Sequence, residues 1–236
     1  MIVGIYTKDF ALLNKITNKI NDSKIKLRHI ENLPIKARDI DVLITKKRIR
    51  NCKIPQIQPD NLGILELRIR CEIYDCKNII IGIDPGGMTG LSVIGANRIL
   101  FMDNYKSVED LANIVKSINE EIGISSIKIG LGSPPERTRI IDSLREFSGI
   151  IQLVDEHNSG SGSHTKAATR IALREGEINE DKTYDPKPGE IAWIQKQSRR
   201  KSKGLVTIDK ELAHKILIGQ ITMQDAIKQY TKKMKL

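Results

Sequence analysis

Asp84 closes an apolar run, Ile79-Ile80-Ile81-Gly82-Ile83-Asp84, and is followed at once by Pro85-Gly86-Gly87 and then Met88-Thr89-Gly90. A carboxylate at the end of a buried strand is held by the sheet while facing open space, which suits it to bind a divalent metal or to face a phosphate. Asp84-Pro85-Gly86 also fits a plain hairpin turn, because Asp, Pro and Gly are favoured there for backbone reasons. A second chemical signal is charge. Residues 187–236 hold twelve Lys or Arg against four acids, so +8 of the chain's net +10 sits in that stretch. Such concentration is the footprint of polyanion binding, since each neutralised phosphate releases condensed counterions. A solvated lysine-rich tail that aids solubility is the alternative.

The elements that must position these groups follow from hydrophobic periodicity. In the first 75 residues the pattern predicts a strand at 1–6 and an amphipathic helix at 8–21, with Phe10, Leu12, Leu13, Ile16 and Ile20 on one side. Further strands are expected at 25–30 and 41–46, a loop at 51–63, and a half-exposed strand at 65–70, where Leu65, Leu67 and Ile69 alternate with charged residues. No chemistry stands out there, and an interaction or packing module is the default. From Lys77 on, strands at 79–84, 90–95 and 98–103 stand at hairpin distances, with Gly95-Ala96-Asn97 as a turn. A helix at 107–122 has Ser107 as N-cap and Asp110 three residues on. Strand 127–131, helix 136–147, strand 150–155 and a helix from His164 to about Arg174 complete the order β-β-β-α-β-α-β-α. After Trp193 comes a basic segment containing Lys196, Arg199, Arg200, Lys201 and Lys203, then two short helices near 208–218 and 222–234. Helix–turn–helix spacing of this kind is compatible with nucleic-acid docking, although many two-helix packings share it.

Length and composition narrow the class. At 236 residues the chain can hold one large or two modest domains. It has no long apolar run of membrane-spanning length, and its start does not read as a signal peptide. Cys52, Cys71 and Cys76 match no zinc spacing, so idle or buried thiols in a reducing, cytoplasmic setting are expected.

With the first strand ending in a carboxylate, residues 77–176 resemble the ribonuclease-H-like nuclease fold and, within it, the RuvC and YqgF branch. Gly82-Ile83-Asp84-Pro85-Gly86 with Thr89-Gly90 resembles the first catalytic strand of RuvC resolvases. Val154-Asp155-Glu156-His157 resembles the strand end of YqgF-type proteins, and His164-Thr165-Lys166-Ala167-Ala168 resembles the last helix, where the family places an Asp three residues before the Ala-Ala pair. The resemblance implies an α/β, ribonuclease-H-like mixed sheet flanked by helices. It would occupy residues 76–186, between a small α/β domain at 1–75 and a basic two-helix nucleic-acid-binding module at 187–236.

The resemblance also implies a shared metal site. Asp84, Glu156 and His164 would gather around two Mg²⁺ or Mn²⁺ ions for in-line phosphodiester cleavage. His164 departs from the family's Asp. It is read as a ligand favouring Mn²⁺, as a base that orients water, or as a plain helix-capping residue. Asp155 competes with Glu156, since strand alternation points only one of them at Asp84. The acid that RuvC resolvases carry after the fourth strand is replaced by Gly130-Leu131-Gly132-Ser133, which is closer to the YqgF pattern. Arg137 and Arg139 are candidate phosphate contacts beside Glu136, and the Ser/Gly loop 159–163 is a candidate lid or connector.

The resulting expectation is a metal-dependent endonuclease acting on structured nucleic acid, with DNA favoured over RNA and a homodimer as an option by analogy. RNA processing of the YqgF kind, or nucleic-acid binding without catalysis, are the alternatives. A sugar-kinase or actin-like ATPase fits less well, because no second phosphate loop is visible.

Overall fold

A computed structural model describes residues 1–32, 39–155, 163–178 and 186–234. In the first sheet, strands β1 (Ile2–Tyr6), β2 (Lys26–Ile30), β3 (Val42–Thr45) and β4 (Gln56–Ile57) lie in the order β2-β1-β3-β4, all parallel. Helix α1 (Phe10–Lys19) makes the crossover from β1 to β2. Its N-terminus is capped by Asp9, whose carboxylate accepts from the Leu12 amide at 3.0 Å. Ile16 anchors the helix to a cluster with Val3, Ile5, Val42 and Ile44.

Residues 65–70 are not a strand. They form helix α2 (Leu65–Ile73). The apparent alternation is two helical stripes superposed. Leu65 and Ile69, four apart, join the cluster of the first sheet, while Ile64, Leu67 and Cys71 join that of the second. A helix buried on two sides leaves little polar surface, and its apolar positions then mimic a period of two. Arg68 pairs with Glu121 at 2.6 Å. Arg70 reaches Asp22 at 2.7 Å and Glu66 at 2.5 Å, and also donates to the Leu100 carbonyl.

The second sheet holds β5 (Ile79–Asp84), β6 (Thr89–Gly95), β7 (Arg98–Tyr105), β8 (Ile124–Gly130), β9 (Ile151–Val154) and β10 (Glu177–Ile178), in the order β10-β9-β8-β5-β6-β7. β6 runs antiparallel to β5 and β7, whereas β8 and β9 run parallel to β5. The β6–β7 hairpin turns on Ala96 and Asn97, both at positive φ (47° and 55°), the two-residue geometry whose twist matches the strands. Helix α3 (Val108–Glu121) starts at Ser107, whose hydroxyl accepts from the Asp110 amide at 3.2 Å. Helix α4 (Pro134–Ser143) and a 3₁₀ turn (Arg145–Ile150) lead into β9, and helix α5 (His164–Leu173) follows.

Strand alternation sorts the second sheet into two faces. Ile79, Ile81, Ile83, Leu91, Val93, Ile127, Ile129 and Ile151 enter one cluster with Leu111, Val115, Ile118 and Ile140 of α3 and α4. The intervening positions of β5 and β6 face α5, which lies across these two central strands.

The C-terminal segment contains three helices where the pattern predicted two: α6 (Pro188–Lys201), α7 (Lys210–Leu217) and α8 (Met223–Met234). The missed one, α6, has Pro188 in its first turn, and the Glu190 carboxylate accepts from the Lys187 amide at 2.9 Å. Only Ile191 and Ile194 mark its inner face, so charge masks the helical period. Ile194, Ile208, Leu212, Ala213, Ile216, Leu217 and Ala226 form the core of this bundle. Ser198, fully buried, ties it together by accepting from the Ile208 amide at 3.1 Å and donating to the Gln195 carbonyl at 2.7 Å. Among the described residues no helix is long and apolar enough to cross a membrane.

Candidate active site

Asp84 ends β5, a central strand, and is 9 % exposed. Its Oδ2 lies 3.1 Å from Nδ1 of His164, the first residue of α5. The two residues are eighty positions apart, and glycines bring them together. Gly90 stands opposite Asp84 on β6, and a Cβ there would lie 2.2 Å from the His164 carbonyl oxygen. A Cβ on Gly82 would lie 2.1 Å from the Ala168 carbonyl oxygen and 2.7 Å from the Ala172 Cβ. His164, Ala168 and Ala172 recur at i, i+4 and i+8, so one stripe of α5 rests almost on the strand backbone. Neither glycine has a positive φ. Close approach is what requires them. The Thr169 hydroxyl donates to Ser92 Oγ at 2.9 Å, and Lys128 Nζ donates to the Arg174 carbonyl just past the other end of α5.

The electrostatics of the pair are asymmetric. Burial pushes the Asp84 carboxyl above its ordinary range, and the hydrogen bond and charge of His164 pull against that rise. The His164 side chain is half exposed, so the imidazole forms the solvent side of the pair. Gly86 lies beside it, with its Cβ position 3.9 Å from His164 Cε1, and the Cβ position of Gly87 has open space around it. The site therefore opens over the Pro85–Gly87 turn. The structure brings Asp84 and His164 together as a hydrogen-bonded pair.

Glu156 lies outside the described residues, as do residues 159–162 of the candidate lid. Asp155 is exposed, and its carbonyl accepts from Arg174 Nη1 at 2.7 Å. The pairings Ile83 with Ile129 and Ile129 with Leu153 put Asp84, Gly130 and Val154 in one row, two strand spacings or roughly 10 Å across. A Cβ on Gly176 would touch Gln152 Cβ and Val154 Cγ2, while Ile151 sits in the opposite cluster. Alternation carried one residue past Val154 thus turns Asp155 towards the cluster side of the sheet, away from the face that Asp84 shares with α5. Among the described residues no group of three His, Cys, Asp or Glu side chains is placed to hold a metal ion.

The arginines expected at phosphate are engaged within the protein. Arg137 is buried, 8 % exposed, and donates to the Leu131 carbonyl, bracing the loop after β8. Arg139 donates to the Gly219 carbonyl at 3.4 Å and the Ile221 carbonyl at 3.0 Å, clasping the α7–α8 turn to α4. The Glu136 carboxylate itself accepts from the Ser133 hydroxyl at 2.7 Å. By contrast Lys196, Arg199, Arg200, Lys201 and Lys203 are all exposed, and none makes an ion pair among the described residues.

A family model described as a three helical bundle domain matches residues 187–232, which are α6 to α8. That match covers well under half of the chain and bears on the bundle alone. No curated protein and no solved structure matches the chain significantly.

Proposed function

We propose that the chain is a metal-dependent endonuclease of ribonuclease-H-like fold that hydrolyses phosphodiester bonds in structured nucleic acid, with branched DNA ahead of RNA. The observation that carries this reading is the Asp84–His164 pair at the end of a central strand. The sheet around it has the order β7-β6-β5-β8-β9 with β6 reversed, and one helix lies over β5 and β6. A mixed sheet flanked by helices is as far as the resemblance goes, and this sheet has that character. The donor set fits a hard divalent cation in part. A buried carboxylate that is costly to keep ionised gains most from a cation beside it, and an accessible imidazole offers one nitrogen.

In this reading Asp84, His164 and Glu156 would hold Mg²⁺ or Mn²⁺, and the metal would supply water activation and neutralise developing phosphate charge. The rigid contact of α5 with Gly82 and Gly90 sets the separation of the two side chains, so the chain's own contribution is position. The basic bundle, latched to α4 through Arg139, holds the nucleic acid near that edge.

The test is incubation of the wild-type protein and Asp84→Asn with branched and linear DNA and RNA in Mn²⁺. Cleavage should fall at least roughly 100-fold in the variant, the scale expected when a metal-positioning group is lost. Equal cleavage by both removes Asp84 from catalysis. A second reading, binding without hydrolysis, draws on His164 standing where the resemblance expects Asp and on Gly130-Leu131-Gly132-Ser133 in place of the acid after the fourth strand. It expects salt-sensitive binding and no cleavage with any metal.

A further inference from the structure

Trp193 is the chain's only tryptophan, and it stands 53 % exposed on α6. Burying an indole is favourable by a few kcal/mol, so a half-bare one on a helix that already has an apolar inner face calls for an explanation. Lys196 and Arg200 follow it at i+3 and i+7, one and two turns along the same outward face, opposite Ile194 and Ser198. No acid occurs between Ala192 and Gly204. The helix dipole accounts for cations in the last turn, where Arg199, Arg200 and Lys201 lie. It accounts for neither Lys196 nor the indole.

We propose that the outward face of α6 binds unpaired nucleotides, with Trp193 stacking on a base while Lys196 and Arg200 neutralise the neighbouring phosphates. This rests on the reading of the chain as a nucleic-acid enzyme, and it names the form of substrate that the bundle grips. Duplex bases are stacked on one another and offer no open π-face to a side chain on a convex helix. An unpaired base at a branch, gap or end does. Aromatic stacking with cationic flanks is the usual basis of sequence-tolerant single-strand binding.

Because there is one indole, its emission reports this contact directly. The full-length protein is titrated with single-stranded oligothymidylate, with oligouridylate and with a blunt duplex, following Trp193 fluorescence. Affinities for labelled strands are measured in parallel by anisotropy for wild type, Trp193→Ala, Trp193→Phe and Lys196→Gln/Arg200→Gln. Single strands should quench the emission saturably. Trp193→Ala should weaken single-strand binding roughly 5- to 100-fold, with Trp193→Phe in between, and leave duplex binding within about twofold. The double charge variant should lower the salt slope by roughly 1.4, the value for two phosphate contacts on a single strand. All these positions are solvent-facing, so circular dichroism should be unchanged.

Single-strand binding with unaltered emission, or with equal affinity in Trp193→Ala, overturns the inference and leaves the endonuclease reading standing. So does equal loss of duplex and single-strand affinity. Failure to bind any nucleic acid at low salt overturns both. The relative strength of the thymidylate and uridylate arms tells DNA from RNA.

Discussion

Gly90→Ala tests whether close approach of α5 builds the site. A Cβ at position 90 would lie 2.2 Å from the His164 oxygen, 2.4 Å from its carbonyl carbon and 3.0 Å from its Cβ, where ordinary contact begins at 3.4 Å. The obstacle is backbone at the first turn of a helix, so no rotamer relieves it. The helix start must withdraw by about 1.2 Å, the shortfall from ordinary contact, and the 3.1 Å bond between His164 and Asp84 then passes out of hydrogen-bonding range. Overpacking of this kind costs about 1–3 kcal/mol, and loss of the hydrogen bond adds about 1 kcal/mol. Reduced freedom of the unfolded chain returns about 0.4–1 kcal/mol, because Gly90 has no left-handed φ for alanine to strain. The net expectation is destabilisation by about 1–3.5 kcal/mol. Gly87→Ala is the matched control, since nothing lies within 4 Å of its Cβ position, and it should be neutral or slightly stabilising. Urea unfolding measures both, and the imidazole nitrogen shifts of His164 report whether its bond to Asp84 survives. A Gly90→Ala protein within about 0.5 kcal/mol of wild type, with His164 shifts unchanged, would refute the claim that glycine is required there.

Three further outcomes follow from contacts described above. Asp84→Asn should raise stability at neutral pH, because it removes a charge that burial disfavours while its amide oxygen can still accept from His164. The folded state holds the Asp84 proton more tightly than the unfolded state, so wild-type stability falls as pH rises from the ordinary value of 3.8 through the raised folded value. The variant should lose that component in melts across the acid range. Arg70→Met should destabilise by about 3 kcal/mol, since Asp22 and Glu66 lose a partly buried cation, and adding Glu66→Gln should recover part of the loss in urea melts. Lys203→Gly should stabilise by about 1 kcal/mol in thermal unfolding, because Lys203 ends α6 at φ +53° with the Gly204 amide on the Arg199 carbonyl at 2.7 Å.

Much of the second sheet was legible in the sequence, because its strands are short apolar runs between glycine turns and its α3 cap, Ser107, is a local signal. Asp84 was legible for the same reason, as the polar end of such a run. The Asp84–His164 contact was reachable only through the family resemblance, since periodicity says nothing about residues eighty apart. Gly82 and Gly90 carried the missing information. A glycine on each of two paired strands announces a close neighbour, but not which helix it is. Leu65 to Ile69 misled because two buried stripes on one helix imitate a strand. Pro188 to Lys201 hid its helix behind charge, although Pro188, Glu190 and the Ile191/Ile194 spacing were the signals for it. Arg137 and Arg139 looked like surface cations because sequence shows charge and not the carbonyls it meets.

Helix α2 gives the chain a party wall. Leu65 and Ile69 furnish one room, Ile64, Leu67 and Cys71 the other, and Arg68 and Arg70 bolt the wall to Glu121 and Leu100. A fragment that begins at Lys77 would leave one side of the larger room open to water, and one that stops at residue 75 would carry off an apolar surface with nothing to face. The two sheets are thus expected to melt together, a single transition in urea or heat being the outcome that checks it. Displacing the first sheet would strip Leu65 and Ile69 of their cover and loosen a wall that also lines the second cluster.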